Sequence, residues 1–562
     1  MEDRFGRSRV TAHHTSSPSV DRAWAMRPER ASRKDAMSSL SSSSSCGDAP
    51  AGPPVWCSVM VLLRCSRQAR GPGCPGAVPS RCLRRVRVHH AVFPGRRSRP
   101  RADRDGRRDR AGLEWVPQPP PASAPARTDP RTEALVSVPS AAVASRTGRS
   151  TALTGLVWLL LAGVLVRSVW LVLDSSIDLD VYRLGGMAVV DRHGFDDELY
   201  GPGLSPDGDG GLPFTYPPFA ALLFVPLAFL PERLTELALG LASMGVAAVL
   251  SAVLLRRAAA RGRPLPLQAL LGPATAVAAG TAVLLWSGPW MRNVGLGQIN
   301  ALLMALALYD LLRTRDDTLL GRIPRGFWIG LAAGIKLTPL AFGLVFLVRG
   351  QLRPILTMGL TFAATVVIGF LALPRDAVVF WTEAVLSDER VGDTAYVDNI
   401  SLQGVLLHLG VPGGPEPLLR GVLLLAAVVG VALLIRVLAA RGMILSVVAV
   451  NALLMLYLSP VTWSHHHVWW GLVCTALWVE AWPAFLRDGP RRLALVLGGV
   501  ALVGLYVGPI RWDAWLRPVG VPGPAIDAVA ALPYLALFLL LGLWVVTGLR
   551  AGARENRGAG RG

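Results

Sequence analysis

Lysine is almost missing from this 562-residue chain: Lys34 and Lys336 stand against 55 arginines. Charge of any sign is scarce, with Asp, Glu, Lys and Arg at 17%. Of six cysteines, Cys46, Cys57, Cys65, Cys74 and Cys82 fall in the first 82 residues without metal-ligand spacing, which argues against a zinc scaffold. There is no Gly-rich strand–turn–helix unit, because Gly295-Leu-Gly297 lacks a preceding strand pattern and a third glycine. Soluble nucleotide recognition is therefore unsupported. No inverted repeat is apparent either, which weighs against a transporter.

What is present is apolar. Hydrophobic residues make up 52% and mean hydropathy is +0.43, the profile of a membrane protein rather than of several soluble domains. The net charge of +19 is unevenly placed. Residues 1–150 hold 27 Lys+Arg against 12 Asp+Glu, whereas 151–562 hold 30 against 26. The first 150 residues, with Ser38–Ser45 and Pro119–Pro121, lack periodicity and an apolar surface large enough to offset ordering entropy. They read as a disordered Arg/Ser/Pro-rich tail, with translation upstream of the true start as one account of them. No nucleic-acid partner is expected. A catalytic membrane domain is expected over 151–550 and a short cytoplasmic tail over 551–562.

Arginine-rich short loops face the cytoplasm. On that rule the chain reads as an all-α polytopic protein with about 12 transmembrane helices and both termini cytoplasmic. The run 217–231 is expected as a helix lying on the outer face, and 290–300 as an outer turn. The run Phe327–Val348 has arginines at both ends, so a broken pair of short helices is expected, folded at Gly334-Ile-Lys336-Leu-Thr-Pro339. Its apex would face outward.

The unusual polar residues then collect on the outer face. Asp178 and Asp180 follow the first apolar run, either as a solvated acidic cap or as a site. Tyr182, Tyr216, Gln298, Asn300, Asn399 and Ser401 lie on outer segments. Lys336 is an intramembrane cation, a candidate phosphate ligand or a snorkelling helix-end residue. His465 and His466 lie in His465-His-His467, within a Trp-rich stretch that also suits an interfacial belt. Adjacent helical residues diverge by about 100°, so a metal site is not expected.

Six stretches, in order, resemble glycosyltransferase family 87, the actinobacterial polyprenyl-phosphate-mannose-dependent α-mannosyltransferases with the GT-C fold. They are Asp178-Leu-Asp-Val-Tyr182, Tyr216-Pro-Pro-Phe219, Gly297-Gln-Ile-Asn300, Lys336-Leu-Thr-Pro339, Asp398-Asn-Ile-Ser-Leu-Gln-Gly404 and Ser459-Pro-Val-Thr-Trp-Ser-His-His466. Departures are Ile400 and Gln403, where the family often has Gln and Asn, and Ser464, where an acidic residue is common. The resemblance implies a cell-membrane enzyme without a cofactor, its active site on the outer face. Its donor would be polyprenyl-phosphate-mannose and its acceptor a lipid-linked or envelope glycan. It implies Asp178 as catalytic base, with Asp180 second. Tyr182, Tyr216, Gln298, Asn300, Lys336, Asn399, Ser401, His465 and His466 are the expected substrate-binding residues. The competing reading is a transporter or flippase of a lipid-linked glycan. If the tail is dispensable, a chain beginning near Ala141 inserts and stays active in membranes; loss of either property from that truncation alone refutes the boundary.

Overall fold

The computed structural model describes residues 140–559, apart from short stretches at 192–197, 202, 205–210, 266–267, 269 and 314–321. The expected tail over 1–150 lies almost wholly outside these residues. No strand occurs among them; backbone groups in an apolar surround are satisfied inside helices. The first helix, α1 (Ser140–Ser175), begins ahead of the expected boundary at 151 and carries the apolar run Thr151–Asp174. Ser176 breaks it from α2 (Ile177–Val190), whose first turn holds Asp178 and Asp180, where carboxylates favour a helix N-terminus.

Next comes α3 (Pro218–Ala228), started by Pro217-Pro218. At 11 residues it is about 17 Å long, too short to cross a bilayer. It packs on α2: the rings of Tyr182 and Phe224 stack at 4.7 Å, and Gly186 touches the Phe224 backbone. Helix α4 (Glu232–Ala260) then crosses, and its first turn is tied back to the α1–α2 corner by Ser176 Oγ donating to Glu236 at 2.8 Å.

Helix α5 (Pro273–Trp286) stops at Ser287. The expected outer turn at 290–300 is instead largely helix: α6 (Gly288–Gly295) is buried and meets α7 (Asn300–Leu312) at 116°. Its burial has a reason, since Trp290 donates to Val468 O at 3.0 Å and the Trp470 indole donates to Ser287 Oγ at 2.9 Å.

Arginines at both ends of 327–348 foretold a fold-back, and one is found. Helix α8 (Phe327–Ile335) ends at Lys336; a tight turn (Thr338–Phe342) leads into α9 (Gly343–Val348) and then α10 (Leu352–Ala372). Gly326 lies against Pro354, Gly330 against Met358 and Gly334 against Thr365, so α8 runs parallel to α10. The intervening segment must return, and Gly343 is already back beside Met358. Arg325 and Arg349 thereby come close enough to repel one another. Buried Asp310 fixes the start of α8 by accepting from Gly326 N at 3.0 Å and Ile329 N at 3.1 Å.

Beyond it lie α11 (Pro374–Thr382), α12 (Leu402–His408), α13 (Glu416–Ala440) and α14 (Ile444–Leu458). A short turn (Ser464–Trp469) enters α15 (Trp470–Ala476), which passes through a π-turn at Leu477–Ala481 into α16 (Trp482–Asp488). Helix α17 (Arg491–Val507) bends by 75° into α18 (Pro509–Leu516), and α19 (Gly523–Ala559) runs on through most of the expected C-terminal tail.

Among the described residues, five helices are long and apolar enough to cross a membrane, or up to seven if each bent pair is one span. The chain is a multi-pass membrane protein. Because α8 and α9 form a hairpin, cysteines introduced at 322 and 350 should share one side and both resist an impermeant thiol reagent added outside. Labelling of only one would mean a single crossing there.

Candidate active site

The apex of the hairpin meets the α1–α2 corner through the loop between α6 and α7. Asp178 N donates to Leu296 O at 3.1 Å, which docks that loop on α2. Gly297 has φ +68°, and a Cβ there would lie 2.7 Å from Leu179 Cβ, so only glycine fits the close approach. Gln298 is then held at both backbone groups by Asn293: its N–H donates to Asn293 O at 2.8 Å and its carbonyl accepts from Asn293 Nδ2 at 3.3 Å.

From this clamp a line of hydrogen bonds runs through several of the expected residues. The Gln298 side chain lies near enough to Asp178 to favour its charged form. Its Oε1 accepts from Tyr182 Oη and from Asn300 Nδ2, both at 3.1 Å. The Tyr182 and Tyr216 hydroxyls meet at 3.0 Å. Asn300 Oδ1 accepts from Lys336 Nζ at 3.0 Å, and Nζ lies 3.0 Å from His466 Nε2. His466 Nδ1 accepts from Trp463 N at 3.2 Å. The Tyr216 ring sits 5.7 Å below the Lys336 nitrogen, a cation–π distance. Asp178, Tyr182, Tyr216, Gln298, Asn300, Lys336 and His466 therefore form one assembly.

The two carboxylates differ. Burial pushes the Asp178 carboxyl above the ordinary range, opposed by the nearby Gln298 side chain, by Lys336 when its amine is protonated, and by the Arg292 guanidinium. Asp180 is raised to about 6, first by burial and then by Glu232, with Glu236 and Asp178 adding repulsion against the pull of Arg183. Only Asp178 touches the line to Lys336.

Lys336 and His466 also line a pocket with Leu303, Met304, Phe342 and Met455 on its apolar side. A lining that combines polar and apolar groups suits a molecule with an anionic head and a hydrocarbon chain.

Asn399 and Ser401 lie elsewhere. Asn399 is fully used in closing two loops: Nδ2 donates to Thr394 O at 2.9 Å and Pro460 O at 3.3 Å, while Oδ1 accepts from Ser401 N at 3.2 Å and Thr462 N at 3.0 Å. Ser401 Oγ donates to Pro460 O at 2.7 Å and caps α12 by accepting from Gly404 N at 3.1 Å. Their side chains latch 398–404 to the 459–464 segment that presents His466. His465 is buried with neither ring nitrogen bonded among the described residues, and it is outside the line to Asp178. Sequence reasoning passed over Gly297's fit, the Trp463 amide and the buried Arg292–Asp398 ion pair at 3.3 Å. Only Gly297 carried a signal, a glycine opening a motif.

A latch of this kind makes a measurable prediction. Asn399→Ala should cost about 2–3 kcal/mol of stability, seen as a lower melting temperature in detergent, because buried loop groups lose their partners. An unchanged melting temperature with weakened substrate binding would make Asn399 a ligand contact instead.

A model of glycosyltransferase family 87 matches residues 214–460. That range includes Tyr216, Gln298, Asn300 and Lys336 but stops before His466 and starts after Asp178. The chain is similar to a polyprenol-phosphate-mannose-dependent alpha-(1-2)-phosphatidylinositol mannoside mannosyltransferase of Mycobacterium tuberculosis, 33% identical over 392 residues, 66% of this chain and 84% of the relative. A counterpart with the same description from Mycolicibacterium smegmatis is 34% identical over 364 residues, covering 61% and 79%. A pentamannoside mannosyltransferase of Mycolicibacterium smegmatis is 30% identical over 397 residues, covering 69% of this chain and 90% of its own. No solved structure matches. The coverage and identity of these relatives, together with the family match across the centre of the site, establish that this chain belongs to glycosyltransferase family 87.

Proposed function

We propose that the protein moves mannose from polyprenyl-phosphate-mannose to a lipid-linked glycan acceptor, with inversion, giving an α-(1→2)-type linkage. The observation that carries this reading is the hydrogen-bonded line from Gln298, beside the Asp178 carboxylate, to the Lys336–His466 pair. A glycosyl transfer of this kind needs a base at one end and groups that receive an anion at the other. The relatives' names supply the sugar, the donor and a phosphatidylinositol mannoside as the acceptor type. They also leave the transporter reading without support.

In this scheme Asp178 takes the proton from an acceptor hydroxyl as its oxygen forms a bond to the anomeric carbon. The bond from that carbon to the phosphate oxygen breaks on the opposite face, and the phosphate leaves with the electron pair. Lys336 and His466 meet the negative charge that develops there. Gln298 and Asn300 hold the two ends in register, and Tyr182 and Tyr216 wall the space between them. Asp180 lies beside the base without reaching the line. The isoprenoid chain would occupy the apolar cavity below Lys336.

The same reading places the site on the outer face. It takes about 12 crossings, counting α8 and α9 separately, with α2, α3 and the hairpin apex outside and the arginine-rich ends and both termini inside. A lipid-linked donor fits an outward site, where soluble sugar nucleotides are absent. The tail over 1–150 is proposed to take no part.

Asp178→Asn keeps the shape and removes the basicity. In membranes given radiolabelled polyprenyl-phosphate-mannose and a lipid acceptor, it should bind donor yet lose at least about 100-fold in turnover. Asp180→Asn should lose less. A base works ionised, and the Asp178 carboxyl is raised, so wild-type turnover should fall as pH drops through a midpoint above the usual carboxylate range. Near wild-type transfer by Asp178→Asn, with Asp180→Asn inactive, would move the base by two residues. Activity in both would remove it from this loop.

A further inference from the structure

The bonds around His466 constrain where its protons can be. Nδ1 accepts the Trp463 N–H at 3.2 Å, so Nδ1 carries no proton. The single proton of a neutral imidazole is then on Nε2, which faces Lys336 Nζ at 3.0 Å. An ammonium has three donors and no acceptor, so Nε2–H and a charged lysine would present donor to donor. The reverse arrangement, with Nε2 bare and Nδ1 protonated, sets Nδ1–H against the Trp463 N–H. Only a neutral amine satisfies every contact: its lone pair accepts from Nε2–H and one of its N–H groups donates to Asn300 Oδ1 at 3.0 Å. Farther on, Asn300 Nδ2 donates to Gln298 Oε1, and the Gln298 side chain lies beside Asp178. From the Trp463 amide to Gln298, each group donates in one direction, toward the side of the site that holds Asp178.

We infer that the ligand-free site holds Lys336 as a neutral amine, and that binding of the donor's phosphodiester draws one proton from solvent onto the Lys336–His466 pair. This rests on the donor reading above. The arriving phosphate is a better acceptor than the amine for Nε2–H. Once the amine lone pair has taken its proton, Nζ donates to the phosphate while keeping Asn300. Two donors then face the anion where previously they faced each other, and no other bond changes. The charge that assists departure of the phosphate is thus acquired only when a phosphate is present.

The charged and titratable groups around the pair are few. Asp178 from α2 acts on Lys336, as the Tyr216 ring does from the segment before α3. His465 and His467 act on His466 from the same turn. Arg292 from α6 acts on Asp178 and His465 and is held by Asp398. Asp178 could also change its protonation on binding, so the experiment must separate it from the pair. Proton uptake on binding means that affinity is fullest below the free-site midpoint and weakens as pH rises past it, by up to about tenfold per pH unit.

The test is titration calorimetry of the full chain in detergent at neutral pH. The probe is a short-chain isoprenyl mannosyl phosphodiester, which keeps a single negative charge at this pH. The dependence of the binding heat on buffer ionisation enthalpy gives the protons exchanged, and about one should be taken up. In Lys336→Arg the cation is permanent, so uptake should fall close to zero. In His466→Ala the lysine is free to stay charged beforehand, and uptake should fall likewise; this variant decides if the arginine one does not fold. Uptake carried by Asp178 would persist in both. Wild-type binding with no net proton change, or His466→Ala with full uptake, overturns the inference alone. Absence of any binding overturns the donor reading and this inference together.

Discussion

The contact between Lys336 and Asn300 depends on two pieces of irregular backbone meeting inside a helical bundle. Open backbone and a basic side chain are both costly among apolar helices, and each is tolerated only where protein satisfies it. Here the α8–α9 hairpin delivers the lysine and the bend between α6 and α7 delivers the asparagine. Neither is stable in that place without the other. The bond at 3.0 Å is where two breaks in regular structure compensate one another.

The surrounding scaffold is rigid in ways that suit this meeting. Asp310 anchors the start of α8, and Trp290 and Trp470 pin the α5–α6 corner to the turn carrying the histidines. Asn399 and Ser401 hold the loop before α12 to the segment after α14, so the Trp463 amide is fixed where His466 needs it. Residues outside the hydrogen-bonded line therefore decide the geometry of those within it. Preorganisation of this kind is what lets fixed dipoles stabilise charge without rearranging during reaction.

Much of this was legible in the sequence, for physical reasons. Arginines on both sides of 327–348 could face one side only if the chain turned back, and the parallel packing of α8 and α10 shows that it does. A solitary lysine at a Gly- and Pro-flanked break was conspicuous by composition. Less visible were features created by long-range contact. Nothing local in 288–295 announces a buried helix; its burial comes from bonds to residues far along the chain. Asn399 and Ser401 read as ligands because a motif on the outer side invites that role, whereas their partners at 460 and 462 cannot be inferred from spacing. The polarity of the line through His466 is likewise invisible in sequence, since it depends on a backbone amide.

The central claim is that Lys336 and His466 receive the donor's phosphate while Asp178 faces the acceptor. A structure of the protein with a non-transferable polyprenyl-phosphate-mannose analogue tests it most directly. The account predicts phosphate oxygens within hydrogen-bond reach of Lys336 Nζ and His466 Nε2, the lipid chain in the cavity lined by Leu303 and Phe342, and the anomeric carbon turned toward Asp178. A phosphate seated away from Lys336, or a sugar whose anomeric carbon faces away from Asp178, would contradict it.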